Sequence, residues 1–168
     1  MTTSLHDLTA PVLIRALGSL SAILAKGEAF AVEQGMDPAA LLDARLIEDM
    51  GSLTMQVQRA SDTAKGAMVR IGGVEGVAMP DEEASFADLQ QRIAATIAFL
   101  ESVPREAIDG KEDAVVTLTT PGGSFDFTGR SYALNFVLPN FFFHVTTAYA
   151  ILRHKGVPIG KLDYLGGI

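Results

Sequence analysis

Apolar residues recur at three- and four-residue spacing along four long segments of the chain, which is the pattern of helices that pack into a core. In the first segment Leu13, Leu17, Leu20 and Leu24 form one such stripe. The fold class that follows is mainly all-α. The four predicted long helices span about Ser4 to Glu33, Ile47 to Arg70, Ser85 to the residue before Pro104, and Gly129 to Lys155.

Local signals predict where the first helices begin. Ser4 followed by Asp7 resembles a capping box and predicts the start of the first long helix. Pro11 then either kinks that helix or marks a second start. After it, Asp37 as N-cap and Pro38 as the first helical residue predict a short extra helix, and Ser85 with Asp88 repeats the capping-box pattern at the start of the third long helix.

A period-two pattern separates the third and fourth long helices. Val115, Thr117 and Thr119 alternate before the turn sequence TPGGS, and Phe125 and Phe127 alternate after it. This predicts a small β-hairpin, which should pack against the helices because an isolated hairpin is marginally stable in water. The whole chain of 168 residues is therefore expected to form a single domain, a four-helix bundle with a β-hairpin in the crossover between helices 3 and 4.

The last predicted helix is the least charged part of the chain. No Asp, Glu, Lys or Arg occurs from Ser131 to Leu152, a length that could cross a bilayer. Asn140 and His144 interrupt it, and polar groups are costly in hydrocarbon, so we expect a helix enclosed by other helices and no membrane contact. Pro139 should kink this helix or mark a new start within it, and Gly156 should end it.

Composition excludes several classes of partner. The formal net charge is −7, and nucleic-acid binding depends on Lys and Arg that neutralise phosphates, so no nucleic-acid partner is expected. The chain has no cysteine, which removes disulfides, thiolate nucleophiles and Cys-based metal sites. A cytoplasmic location fits a chain without cysteine.

The candidate chemistry lies on the last and the second long helices. Asn140 and His144 are one turn apart, so both can point into the bundle. A carboxylate on the second helix, such as Asp62, could accept a hydrogen bond from His144 and fix its tautomer. The candidate ligand-contacting residues of the second helix are Gln56, Gln58, Arg59 and Asp62. The predicted inward face of the last helix comprises Tyr132, Phe136, Asn140, Phe143, His144, Thr147 and Ile151. Of these, the candidates for lining a ligand pocket are Tyr132, Asn140, His144 and Thr147.

Structural alternatives accompany these candidates. Asn140 and His144 could form a buried hydrogen-bonded pair that only fixes helix register. Arg59 and Asp62, three residues apart, could form an ion pair on the helix surface. The three phenylalanines at 141–143 indicate core packing or a dimer interface.

The segment HVTTAYAILRHKG resembles the final-helix signature of the DinB/YfiT-like bundles, a superfamily of metalloenzymes and thiol-dependent transferases. The matching residues are His144, Leu152, Arg153 and Gly156. Together with DARL, QVQRASD and GVPIGKLDYLG, the pattern resembles a bacterial family of unknown function related to those bundles. The resemblance covers essentially the whole chain and implies the bundle fold.

The resemblance also implies a three-histidine metal site, with one ligand on the second helix and two on the fourth. Only His144 matches that triad here, since Asn140 stands at the earlier position of the fourth helix. Gln56 or Gln58 would replace the histidine of the second helix, and the sequence leaves both open. Neutral amides are poor ligands for zinc or nickel, so a divalent-metal site would be weak unless Asp62 joined it.

Three hypotheses about function follow. The first is a small-molecule site between the second and fourth helices, with no assigned cofactor and with His144 as a general base if the protein is catalytic. The second is a non-enzymatic homodimeric scaffold, with its apolar surplus buried between subunits. The third is a metal-dependent transferase or hydrolase on a small substrate, in which His144 is the retained ligand.

Overall fold

A computed structural model describes residues 3–166 and is mainly helical, with one small antiparallel hairpin, as predicted. Four long helices pack around one core, and each of them contacts two neighbours in the cyclic order α1–α4–α3–α7. The helices are α1 (Ala10–Glu33), α2 (Pro38–Leu42), α3 (Leu53–Gly72), α4 (Phe86–Ser102), α5 (Arg105–Ile108), α6 (Gly129–Tyr132), α7 (Leu138–His154) and α8 (Lys161–Leu165).

The first long helix begins later than Ser4. Ser4 and Asp7 do bond reciprocally, with Asp7 accepting from the Ser4 amide at 3.1 Å and Ser4 Oγ accepting from the Asp7 amide at 3.3 Å. They close a turn that precedes the helix. The helix itself starts at Ala10, so Pro11 lies in its first turn, where a missing N–H costs no hydrogen bond. Pro11 therefore marks a later start of the helix and does not kink its interior.

The helix α3 also starts later than predicted. Ser52, and not a residue near Ile47, caps it by accepting a hydrogen bond from the Met55 amide at 3.3 Å. Ile47 lies in the preceding loop and is exposed. Because this apolar residue was counted as part of the helix, the helix was predicted to begin too early. The predicted caps at Asp37 and Ser85 are both present, with Asp37 accepting from the Ala39 amide and Ser85 from the Asp88 amide.

The hairpin pairs β1 (Val115–Thr120) with β2 (Gly123–Thr128), with Val116 opposite Phe127 and Leu118 opposite Phe125. Its inner face buries Val116 and Leu118 against the helices. On the outer face the hydroxyl of Thr117 donates to Asp126 at 2.6 Å.

The final helical segment is continuous but changes its winding. Between α6 and α7 the residues Ala133–Val137 form a π-helix, and Pro139 follows directly, in the first turn of α7. A π-helical turn bonds i to i+5, which admits one extra residue and removes the interior clash that a proline causes in an α-helix. Of the two alternatives predicted for Pro139, a kink or a new start, the structure has the new start, because α7 begins at Leu138 with Pro139 in its first turn.

One described helix, α1, is long and apolar enough to cross a membrane by length and composition alone. Its leucines at positions 13, 17, 20 and 24 are fully buried between the other helices. The same composition is found in core helices of soluble proteins. The uncharged α7 likewise places Phe141, Val145 and Leu152 in the core.

Candidate functional site

The contact between α3 and α7, hereafter the α3–α7 seam, carries the polar residues that the sequence analysis singled out. The Nδ1 atom of His144 lies 2.8 Å from Oε1 of Gln56. The amide nitrogen of Gln56 donates in turn to the carbonyl of Gly51 at 2.9 Å. Because the Gln56 nitrogen is engaged, its oxygen faces the imidazole, and Nδ1 must be the donor. Neutral His144 therefore keeps its free lone pair on Nε2.

Asn140 bonds to α3 rather than to His144. Its side-chain nitrogen donates to Oγ1 of Thr63 at 2.7 Å, and that hydroxyl donates to the Arg59 carbonyl at 2.7 Å. The alternative of an Asn140–His144 pair is thus not what the structure has. Each residue makes its own hydrogen bond across the seam, and both bonds fix the register of α7 against α3.

The environment of His144 favours the neutral imidazole. The side chain is half-buried, and burial, followed by the nearby positive charge of Arg59, lowers the pKa of His144 below its ordinary value of 6.5. Nε2 makes no hydrogen bond to any residue from 3 to 166 and is not sealed inside the protein. It is therefore available as an acceptor or a base at neutral pH.

The structure settles the alternative between Gln56 and Gln58. Gln58 lies on the opposite side of α3 and donates to Glu83 at 2.8 Å. Asp62 is on that side too, within 3.2 Å of Lys65 and 2.9 Å of Arg92. The expectations that Asp62 orients His144, or pairs with Arg59 on the helix surface, were both wrong.

The sequence analysis did not predict the cluster of charged residues between α3 and α4 to which Gln58 and Asp62 belong. Arg92 of α4 has a side chain only 1% exposed, and it forms ion pairs with Asp62, Asp81 and Glu83 at 2.7 to 3.0 Å. Burial alone would raise the pKa of Glu83, but hydrogen bonds from Gln58 and Arg92 outweigh it and lower that pKa. A visible signal existed, since Arg92 falls on the apolar stripe of α4 and an acidic run precedes that helix.

The remaining candidates are placed along the final helical segment. Tyr132 is buried, its hydroxyl accepts from Arg70 at 3.1 Å, and its ring stacks on Phe136. Burial raises the pKa of Tyr132 despite the Arg70 charge. Thr147 is buried and donates to the carbonyl of Phe143 at 2.7 Å. Phe143 itself is 54% exposed, so the prediction that it faces inward was wrong.

The residues of the seam do not fit a divalent metal ion. Of the three ligand positions that the resemblance implied, two are filled here by the neutral amides of Gln56 and Asn140, which already bond to His144 and Thr63. No group of three His, Cys, Asp or Glu suited to a metal occurs within residues 3–166. A single imidazole with no protein anion is a poor donor set for zinc or nickel.

The main concavities of the described residues lie away from the seam. One of them, of about 370 Å³, lies between the loop after α3 and α4 and is lined by Met79, Glu83 and Arg92 among others. Neither His144 nor Asn140 lines any of the five main concavities within residues 3–166.

The model of a family described as a domain of unknown function, DUF1993, matches residues 5–165. The chain belongs to the DUF1993 family. A crystal structure of a DinB family member protein from Shewanella denitrificans superposes on this DUF1993 chain with a TM-score of 0.90. The two are 39% identical, over 98% of this chain and 93% of that one. The resemblance to DinB-like bundles is thereby confirmed. Among curated proteins no match is found.

Proposed function

We propose that this DUF1993 protein binds a small molecule at the α3–α7 seam, where Nε2 of His144 accepts a hydrogen bond from the ligand and no transition metal takes part. The observation that supports the proposal is the chain of bonds from the Gly51 carbonyl through Gln56 to Nδ1 of His144. Such a chain orients an imidazole and fixes its tautomer, as the partner of a working histidine does.

The lowered pKa of His144 determines the chemistry that the site can offer. A neutral Nε2 accepts from a hydroxyl, thiol or ammonium group of the ligand. If the bound molecule reacts, the same atom takes its proton as a general base. The resemblance to DinB-like bundles implies group transfer or hydrolysis of a small substrate in that case. A cytoplasmic location stays our expectation for the chain.

The binding proposal is tested by screening a fragment library against ¹⁵N-labelled protein by NMR. We expect hits that shift the imidazole resonances of His144 and the amides of Gln56 and Asn140. The His144→Gln variant should lose those hits, while the matched His154→Gln variant should keep them because His154 is exposed at the end of α7. Hits that perturb only other surfaces, or that survive His144→Gln, would overturn the proposal.

The metal-free part of the proposal has its own test. Protein purified without a histidine tag should contain no stoichiometric zinc or nickel by elemental analysis. Added zinc or nickel should leave its melting temperature unchanged, because a ligand stabilises only the state that binds it. A bound metal that disappears in His144→Gln would instead support the metal-dependent transferase or hydrolase.

The second candidate function is a homodimeric scaffold, which the exposed apolar side chains favour. Leu134 and Phe143 are 42% and 54% exposed on the final helical segment. Under this alternative, analytical ultracentrifugation should give a dimer that Phe143→Asp converts to a monomer. In addition, His144→Ala should change stability while the fragment screen gives no hits at the seam.

A further inference from the structure

Charge is distributed unevenly between the seam and the rest of the molecule. The chain has a formal net charge of −7. In contrast, α3 carries Arg59, Lys65 and Arg70 against one acid, Asp62, and residues 131–152 carry no formal charge. The two helices that form the seam are therefore basic within an acidic protein.

The contacts of the four charged side chains of α3 show which of their charges are neutralised by a partner. Lys65 and Asp62 pair with each other on the α4 side of α3, away from the seam. Arg70 faces the other way and donates to the hydroxyl of Tyr132, not to a carboxylate. Arg59 is exposed, and its guanidinium makes no hydrogen bond or ion pair with any residue from 3 to 166.

Arg59, and not Arg70, is the cation close enough to His144 for both to contact one small ligand. The two arginines are eleven residues apart, which is about 16 Å along a helix, so one small ligand cannot reach both. Arg59 is three residues from Gln56, the partner of His144, and so lies on the adjoining face of α3. Its charge is also close enough to contribute to the lowered pKa of His144.

Apolar surface adjoins this cation. The ring of Phe143 meets that of His144 edge-on, with centroids 5.3 Å apart, and more than half of Phe143 is exposed. Met55, four residues before Arg59 on α3, is 39% exposed. A ligand held by Arg59 and His144 would therefore find aromatic and thioether surface beside its polar groups.

We infer that the seam selects a small organic anion with an apolar body, whose carboxylate or phosphate binds the Arg59 guanidinium while a donor group of the ligand bonds to Nε2 of His144. A guanidinium pairs with planar carboxylates and with phosphates through two parallel hydrogen bonds. Local positive charge also raises the rate at which anions reach the site. The inference rests on the proposed function and specifies its ligand class.

The test uses three probes with one 4-hydroxyphenyl ring: 4-hydroxybenzoate, its neutral amide 4-hydroxybenzamide, and 4-hydroxyphenyl phosphate. Each is titrated into ¹⁵N-labelled protein, and dissociation constants are read from amide shifts at the seam. We expect the better of the two anions to bind at least about tenfold more tightly than the amide, as a hydrogen bond between charged groups provides. The comparison of carboxylate with phosphate identifies which anion the site prefers.

Variants of Arg59 decide whether that preference comes from the seam. Arg59→Gln should abolish the advantage of the anions and leave the affinity for the amide nearly unchanged, while Arg59→Lys should keep part of it. Arg130→Gln is the matched control, since Arg130 is also exposed but lies at the start of α6. Arg59 is on the surface, so these variants should fold normally.

The outcomes separate the inference from the proposed function. Equal affinity for anion and amide at the seam, unchanged by Arg59→Gln, would overturn the anion preference and leave the small-molecule site in place. An anion preference that persists in Arg59→Gln, or that Arg130→Gln removes, would also overturn it. No shift at the seam with any probe up to its solubility limit, together with an empty fragment screen, would overturn both.

Discussion

The Nδ1 atom of His144 lies within 2.8 Å of Oε1 of Gln56, so the imidazole on α7 is held by a neutral amide on α3. The amide orients the ring without adding charge. It leaves Nε2 as the nitrogen of the neutral ring that can accept a hydrogen bond.

The charge at position 56 should control the titration of His144. Replacing Gln56 with Glu puts a carboxylate beside Nδ1–H, and an adjacent negative charge favours the imidazolium, so the pKa of His144 should rise. Gln56→Leu removes the acceptor and should allow both tautomers. Both effects are measurable from the ring ¹⁵N and Cε1 proton shifts during a pH titration, with His154 as a reference signal in the same spectra. An unchanged titration in Gln56→Glu would contradict the geometry of the seam.

The pH dependence of stability should report the same imidazole. The folded-state pKa of His144 is lower than its ordinary value of 6.5, so below pH 6.5 the unfolded chain binds more protons than the folded one. This contribution to stability is fully present above pH 6.5 and is lost as the pH falls towards the folded-state pKa. His144→Gln should flatten the slope of unfolding free energy in that window, by at most about 1.4 kcal/mol per pH unit. Urea unfolding at several pH values measures it, and an identical slope in the variant would refute the effect.

The buried guanidinium of Arg92 should matter far more to stability than an exposed one with equally good partners. Arg92→Met leaves Glu83, whose side chain is 10% exposed, without its cation, and breaking a buried ion pair typically costs about 3–5 kcal/mol. Arg105 bonds to Asp7 and Asp109 on the surface, where solvent screens the charges, so Arg105→Met should cost much less than Arg92→Met. Chemical denaturation of the two variants compares them directly, and similar losses would contradict the assigned burial.

Two glycines should respond in opposite directions to alanine. A Cβ on Gly129 would clash with the backbone carbonyl of Lys111, which no side-chain rotation can relieve, so Gly129→Ala should destabilise by several kcal/mol, on the order of a severe core mutation. A Cβ on Gly18 would meet nothing within 4 Å, and Gly18 lies inside α1. Gly18→Ala should therefore stabilise by about 0.5–1 kcal/mol. Melting temperatures of the two variants would show the difference in sign.

Much of the fold could be predicted from local chemistry. The apolar periodicity indicated the four long helices, and the side chains of Asp37 and Ser85 indicated where two helices begin. The start of the first long helix was predicted too early because two local signals competed there. The Ser4–Asp7 capping pattern is satisfied in a turn, because Pro11 suits the first turn of a helix better than its interior.

The candidate site could be predicted only as far as its helices. A sequence shows that Gln56 and Gln58 are near each other, but they point about 160° apart around the helix axis, and tertiary packing decides which of them meets α7. The interhelical partner of Asp62 could not be predicted for the same reason. Besides Lys65 on its own helix, Asp62 pairs with Arg92, thirty residues away on α4.

The π-helical residues Ala133–Val137 change the direction in which the side chains of α7 point relative to those of α6. In an uninterrupted α-helix Tyr132 and His144 would point about 120° apart, and one extra residue in a turn reduces that angle to about 20°. Insertion or deletion of a single residue in this stretch would turn the whole row from Asn140 to Thr147 about the helix axis without displacing the helix. Relatives that differ in length here could thus present different side chains to one ligand surface while keeping the same bundle.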